Sequence, residues 1–162
     1  MVRLLTLCVL LCVAAETYGQ PPSPAKLKPL VDRLDKLRDQ LSTAEQTMAE
    51  RMNDTGGINS EFFHLAISPP DEDLYERIGF THTLLELYSA MYQPGERKTT
   101  DGWKYVISQV GKFSLETYSC CYVQSNKWEL HYKQFPRARS YIKQRESIHN
   151  KCWDILAAIR HL

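Results

Sequence analysis

Leucines set the first rhythm along the chain. Leu27, Leu30, Leu34, Leu37, Leu41, Ala44 and Met48 recur at alternating steps of three and four. That alternation keeps one apolar stripe on one face of a helix. Lys28, Asp32, Arg33, Asp35, Lys36, Arg38 and Asp39 fall between them and keep the opposite face wet. The pattern predicts a helix from about Leu27 to Met52, stopped by the turn formers Asn53-Asp54-Thr55-Gly56-Gly57. Residues 53–70 then form a long connection. It carries Ile58, Phe62, Phe63, Leu65 and Ile67, so it should pack over the helices instead of trailing in solvent. After Pro69-Pro70, Asp71 suits a helix N-cap, with Glu72 and Asp73 in the favourable first turn.

The second long helix should run to about Tyr92. Leu74, Ile78, Leu84, Leu85, Tyr88 and Met91 form its stripe, Phe80 and Leu87 widen it, and Pro94-Gly95 ends it. Trp103, Val106, Ile107, Val110 and Phe113 mark a third helix from Thr100 or Asp101 to about Cys121. A fourth is expected over Trp128 to Arg145, with Pro136 either kinking it or marking its true start. The last runs from Ser147 to Leu162, with Ile148, Cys152, Ile155, Leu156 and Ile159 facing inward. About five amphipathic helices with no strand pattern predict an all-α domain. A connection as long as 53–70 allows the first two long helices to run in the same direction, as in an up-up-down-down bundle with an overhand loop.

The N-terminus points to export. Arg3 precedes the apolar run Leu4 to Ala15, and Thr17 and Gly19 occupy the −3 and −1 positions of a cleavage before Gln20. Residues 1–19 therefore read as a signal peptide. The run is shorter than the ~20 apolar residues a membrane span needs. Residues 20–162 are expected to be one soluble, secreted domain with no membrane insertion.

Composition adds little. Lys+Arg number 20 and Asp+Glu 19, so no strong field steers the protein to nucleic acid. Basic residues thicken towards the C-terminus (Lys133, Arg137, Arg139, Lys143, Arg145, Lys151, Arg160), a pattern that reads first as solvated helix surface. With Cys8 and Cys12 in the leader, Cys120, Cys121 and Cys152 remain as disulfide candidates. Three is odd, so at least one is free or bonds another molecule. Their spacing suits no metal, and no cofactor motif is present. His64, His82, His131, His149 and His161 are scattered and form no catalytic constellation, so no enzyme is expected. Asn53-Asp54-Thr55 is a complete N-glycosylation sequon in a predicted turn.

The C-terminal third carries a resemblance. Lys151-Cys152-Trp153-Asp154 with Ile155 to Arg160, preceded by Tyr141-Ile142-Lys143-Gln144-Arg145, looks like the last two helices of the type I interferons. Leu115 to Gln124, with its Cys120-Cys121 pair, resembles the family's leucine-acidic-alanine-cysteine segment. Cys152 adjoins Trp153, where the family usually interposes one residue. No cysteine occurs in 20–119, so both usual disulfide partners are missing and the pairing stays open. The resemblance implies a divergent helical cytokine domain over 20–162, monomeric, that gathers a heterodimeric class II cytokine receptor and starts antiviral signalling. It also implies a receptor surface of Phe62, Phe63, His64 and Leu65 together with Ala158, Arg160 and His161. Phe62 and Phe63 have a competing role in the core, because buried aromatics dominate core energetics. Two other readings share the coarse features: an interleukin-10-like or long-chain hematopoietic cytokine, and a secreted helical carrier of small apolar ligands with an enclosed pocket.

Overall fold

A computed structural model describes residues 20–162, except for the side chains of 114–126. The 1–19 signal-peptide expectation and all of the Leu115–Gln124 side chains, the Cys120 and Cys121 thiols among them, lie outside the described residues. Among the described residues the chain is all-helical. Five α-helices are present: α1 (Pro24–Asp54), α2 (Glu61–Ile67), α3 (Leu74–Met91), α4 (Arg97–Gln134) and α5 (Arg139–Arg160).

Helix α1 buries Leu27, Leu30, Leu34, Leu37, Leu41, Ala44 and Met48, the seven positions of the sequence stripe. Pro24 stands in its first turn, where a missing N–H costs nothing. Gly56 and Gly57, at φ of 105° and 62°, turn the chain after it. Such left-handed backbone is open to glycine at no steric cost. Ser60 then caps α2, its hydroxyl accepting from the Phe63 N–H at 3.2 Å.

Three boundaries differ from the sequence expectation, the first being the break expected between Arg145 and Ser147, which is absent because α5 runs unbroken through it. Helix α4 is continuous to Gln134, so Trp128 and Tyr132 close the third long helix instead of opening a fourth. Helix α5 begins at Arg139, after a 3-10 turn over Pro136–Ala138. Pro136 therefore marks a start, because its ring cannot continue α4. Asp71 also differs: it is no N-cap but a buried residue in the turn before α3.

The four long helices form a square in which chain neighbours touch and α5 closes against α1. The order of contacts sets their directions. Pro22 meets Tyr88, Asp35 meets His82, and Glu45 and Asp71 both meet Arg145. Numbers rising along α1 thus face numbers falling along α3, and the two are antiparallel. Likewise Phe80 faces Phe113 while Tyr88 faces Trp103, Gln40 faces Lys151, and Trp128 faces His149. Directions alternate around the square, which corrects the expected up-up-down-down order. The 55–73 connection does not cross over the bundle. It tucks α2 against one end, where Phe62 and Leu65 pack with Ala44, Met48, Trp128, Tyr141 and Ile142. The main core lies between that end and the α3–α4 turn, and includes Leu34, Leu85, Val110, Ile155 and Ile159.

Candidate functional site

The expected receptor residues are not one surface. Phe62 and Leu65 are buried in the end cluster. Phe63 is half-buried, its ring edge-on to an exposed His64. Ala158 packs partly against the main core, while Arg160 and His161 are exposed at the end of α5. The 62–65 patch meets α5 at Tyr141 and Ile142, so the two groups are separated by most of α5, about 25 Å at 1.5 Å per residue. The cause is the antiparallel α1–α3 pair, which puts the first connection at the opposite end from the C-terminus. Asn53 is exposed, but in the last turn of α1 and not in a loop. The Thr55 hydroxyl of its sequon donates to the Arg51 carbonyl at 2.7 Å. Cys152 is free and buried, and burial pushes its thiol up to about 12.

A polar centre sits where the end cluster meets the main core. The Arg145 guanidinium donates through Nε to Asp71 Oδ1 at 2.7 Å and through Nη1 to Tyr141 Oη at 2.9 Å and Glu45 at 3.2 Å. Three segments that are distant in sequence are thereby tied: α1, the turn before α3, and α5. Asp71 is 1% exposed, and its Oδ2 has no hydrogen-bond partner among the described residues. Burial raises its carboxyl to about 6, and the Arg145 charge opposes that rise without cancelling it. Nearby, Arg77 pairs with Asp73 and is itself buried. Burial holds His149 below its ordinary value, with the Arg77 charge adding to the effect. None of the described pockets is lined by Arg145, Asp71 or Tyr141, and apart from Asp71 Oδ2 and Arg77 Nε the centre pairs its groups internally, as a tie between helices does.

The α3–α4 seam is different. Helix α3 is apolar on two faces. Leu74, Ile78, Leu85 and Tyr88 point into the core, whereas Tyr75, Phe80, Leu87 and Met91 remain exposed, Met91 at 71%. Phe80, Leu84, Leu87 and Met91 follow the three–four spacing of a continuous stripe. Helix α4 adds Tyr105, 56% exposed, and Phe113, whose ring meets Phe80 edge-on at 5.4 Å. Between the helices lies an open groove of about 260 Å³ floored by Leu84, Tyr88, Gly102 and Val106 and rimmed by Leu87, Met91, Tyr105 and Lys98. The sequence marked Phe80, Leu87 and Met91 as part of one wide inward stripe. What it could not show is that a square bundle buries only one side of α3. Clustered exposed apolar residues of this kind mark interaction surfaces.

Among the described residues no group of three or more His, Cys, Asp or Glu side chains is placed to hold a metal. No helix among them is long and apolar enough to cross a membrane. No protein-family model, curated protein or solved structure matches this chain.

Proposed function

We propose that this chain is a secreted helical ligand that acts by binding a cell-surface receptor, in the manner of a cytokine. The observation that carries the reading is the exposed apolar seam where Phe80, Leu87, Met91 and Tyr105 cluster along α3 and α4. Such a seam offers large side chains for burial by a partner, which is where binding energy concentrates. The charges beside it, Lys98 and Lys112 on α4 and Glu76 on α3, would set the encounter rate and selectivity. The Leu4–Ala15 run supports export. The type I interferon-like form of the proposal, with a heterodimeric class II cytokine receptor and an antiviral response, is supported by the Lys151-Cys152-Trp153-Asp154 segment. The alternating helix directions count against that form and towards another helical ligand.

The test is expression of the whole reading frame in animal cells, followed by treatment of responsive cells of the source animal. Induction of antiviral genes that disappears when either class II receptor chain is deleted supports the interferon form. A response that survives those deletions but disappears with a different receptor chain supports another helical cytokine. Retention in the cell with no surface binding would sink the whole reading.

A second reading, carriage of a small apolar ligand, calls for an enclosed pocket, and the α3–α4 groove offers it only an open one. It predicts saturable uptake of a fluorescent fatty acid by purified protein, displaced by Gly102→Leu.

A further inference from the structure

The chain folds back at Phe135, and this brings cations from both sides of the bend to one end of the molecule. Lys127 and Lys133 stand on the last turns of α4, Arg137 in the 3-10 bend, and Arg139 and Lys143 on the first turns of α5. All five are exposed. Over residues 127–143 the only carboxylate is Glu129, which lies 3.9 Å from Lys133. Three carboxylates near this end are already engaged, while Asp39 borders the groove that Lys143 lines and Glu61 Oε1 is buried without a hydrogen-bond partner among the described residues. Glu146 accepts from the Tyr132 hydroxyl, and Glu45 and Asp71 face the buried Arg145. The first turn of α5 holds no acidic residue, although a helix start favours one. Stability alone would place Asp or Glu there; this corner concentrates positive charge instead, on a protein whose overall charge is only +1.

From this corner we infer a docking surface for a sulfated polysaccharide of the cell exterior, with Lys127, Lys133, Arg137, Arg139 and Lys143 as its anion contacts. The inference rests on the secretory reading above, since the ligand is extracellular. Repeated sulfates on a linear chain match cations spread over two helix ends and a bend better than one small anion does. The surroundings discriminate among polyanions. Trp128 is buried, Tyr132 is covered by the Arg139 guanidinium at 5.4 Å from its ring centroid, and Phe135 is half-buried. No aromatic ring of residues 127–143 is fully exposed for a nucleotide base to stack on. Leu130 is the one large apolar side chain exposed on this stretch, too little to anchor in a bilayer. The corner is also far from the α3–α4 groove, which lies at the opposite end of α4. A bound polysaccharide would therefore leave the receptor seam free.

The experiment uses the full reading frame expressed in animal cells and purified from medium or lysate, wherever it accumulates; that location reports on secretion separately. Protein is applied to immobilised heparin and eluted with NaCl. The triple variant Lys133→Gln, Arg137→Gln, Lys143→Gln is compared with Lys36→Gln, Lys98→Gln, Lys112→Gln, which removes the same charge from exposed positions elsewhere. Retention at physiological salt is expected, with affinity about tenfold lower in the corner variant and nearly unchanged in the control. Unaltered helical circular dichroism in both variants keeps the comparison clean. Equal loss in the two variants, or no retention of the parent protein, overturns the inference. So does tighter binding to single-stranded DNA or phosphatidylserine vesicles than to heparin.

Discussion

Arg145 is the residue on which the arrangement of α1, α3 and α5 converges. It is 4% exposed and meets Asp71, Glu45 and Tyr141 at once. Truncation to Ala would leave the Asp71 carboxylate buried without a partner, so a loss of about 3–5 kcal/mol in urea unfolding is expected. Asp71 itself has a readable pH signature. Its carboxyl titrates near about 6 in the folded protein against 3.8 in the unfolded chain. A raised acid holds its proton in the folded state after the unfolded chain has released it. The stability it contributes is full below about pH 4 and is lost as pH rises through 6, by on the order of 2–3 kcal/mol. Asp71→Asn cannot titrate. Stability measured at pH 4 and at pH 7 should therefore fall with rising pH by that much more in the parent than in the variant. A difference between the two proteins that stays level across that range would refute the assignment. In the sequence Asp71 read as a helix cap because Pro69-Pro70 preceded it; nothing local announces a partner 74 residues away.

At the level of elements, the legibility of each helix depended on how one-sided its environment is. The α1 stripe was legible residue by residue because α1 buries one face along its whole length. Helix α3 was legible as a helix but not in its facing, since apolar side chains on both sides satisfy the same periodicity. The α4–α5 boundary was displaced because Pro136 fits a kink and a start equally well until packing chooses. The stretch that forms α2 was expected to pack over the helices, with receptor binding and core packing both open to its aromatic residues, and Phe62 and Leu65 serve as core. Phe62→Ala and Leu65→Ala should each cost about 2–5 kcal/mol in stability, the range for large-to-small changes in a packed interior. Receptor binding by the folded fraction should hold. The exposed pair Arg160 and His161 should tolerate Ala with little change in unfolding midpoint. Chemical denaturation alongside a binding titration separates the two effects.

Across the whole molecule, the seam of α3 and α4 is where a partner has most to gain. Replacing Leu87 and Met91 with Lys should leave the unfolding midpoint within about 0.5 kcal/mol of the parent, because both side chains already face solvent. Cell-surface binding should weaken ten- to a hundredfold, on the order of 1.4–3 kcal/mol. Full binding by the double variant would move the receptor surface elsewhere. Asn53 is exposed at the end of α1, so Asn53→Gln should remove one glycan step on an electrophoretic gel without altering the core. The sequence by itself determined that this chain is helical and which residues of α1 face inward, because helix formation answers to neighbours three and four positions away. Only the tertiary structure decided which way each helix runs, that Asp71 answers Arg145, and that one side of α3 is left bare. Those outcomes depend on groups brought together from distant parts of the chain, and local spacing carries no record of which of them will meet.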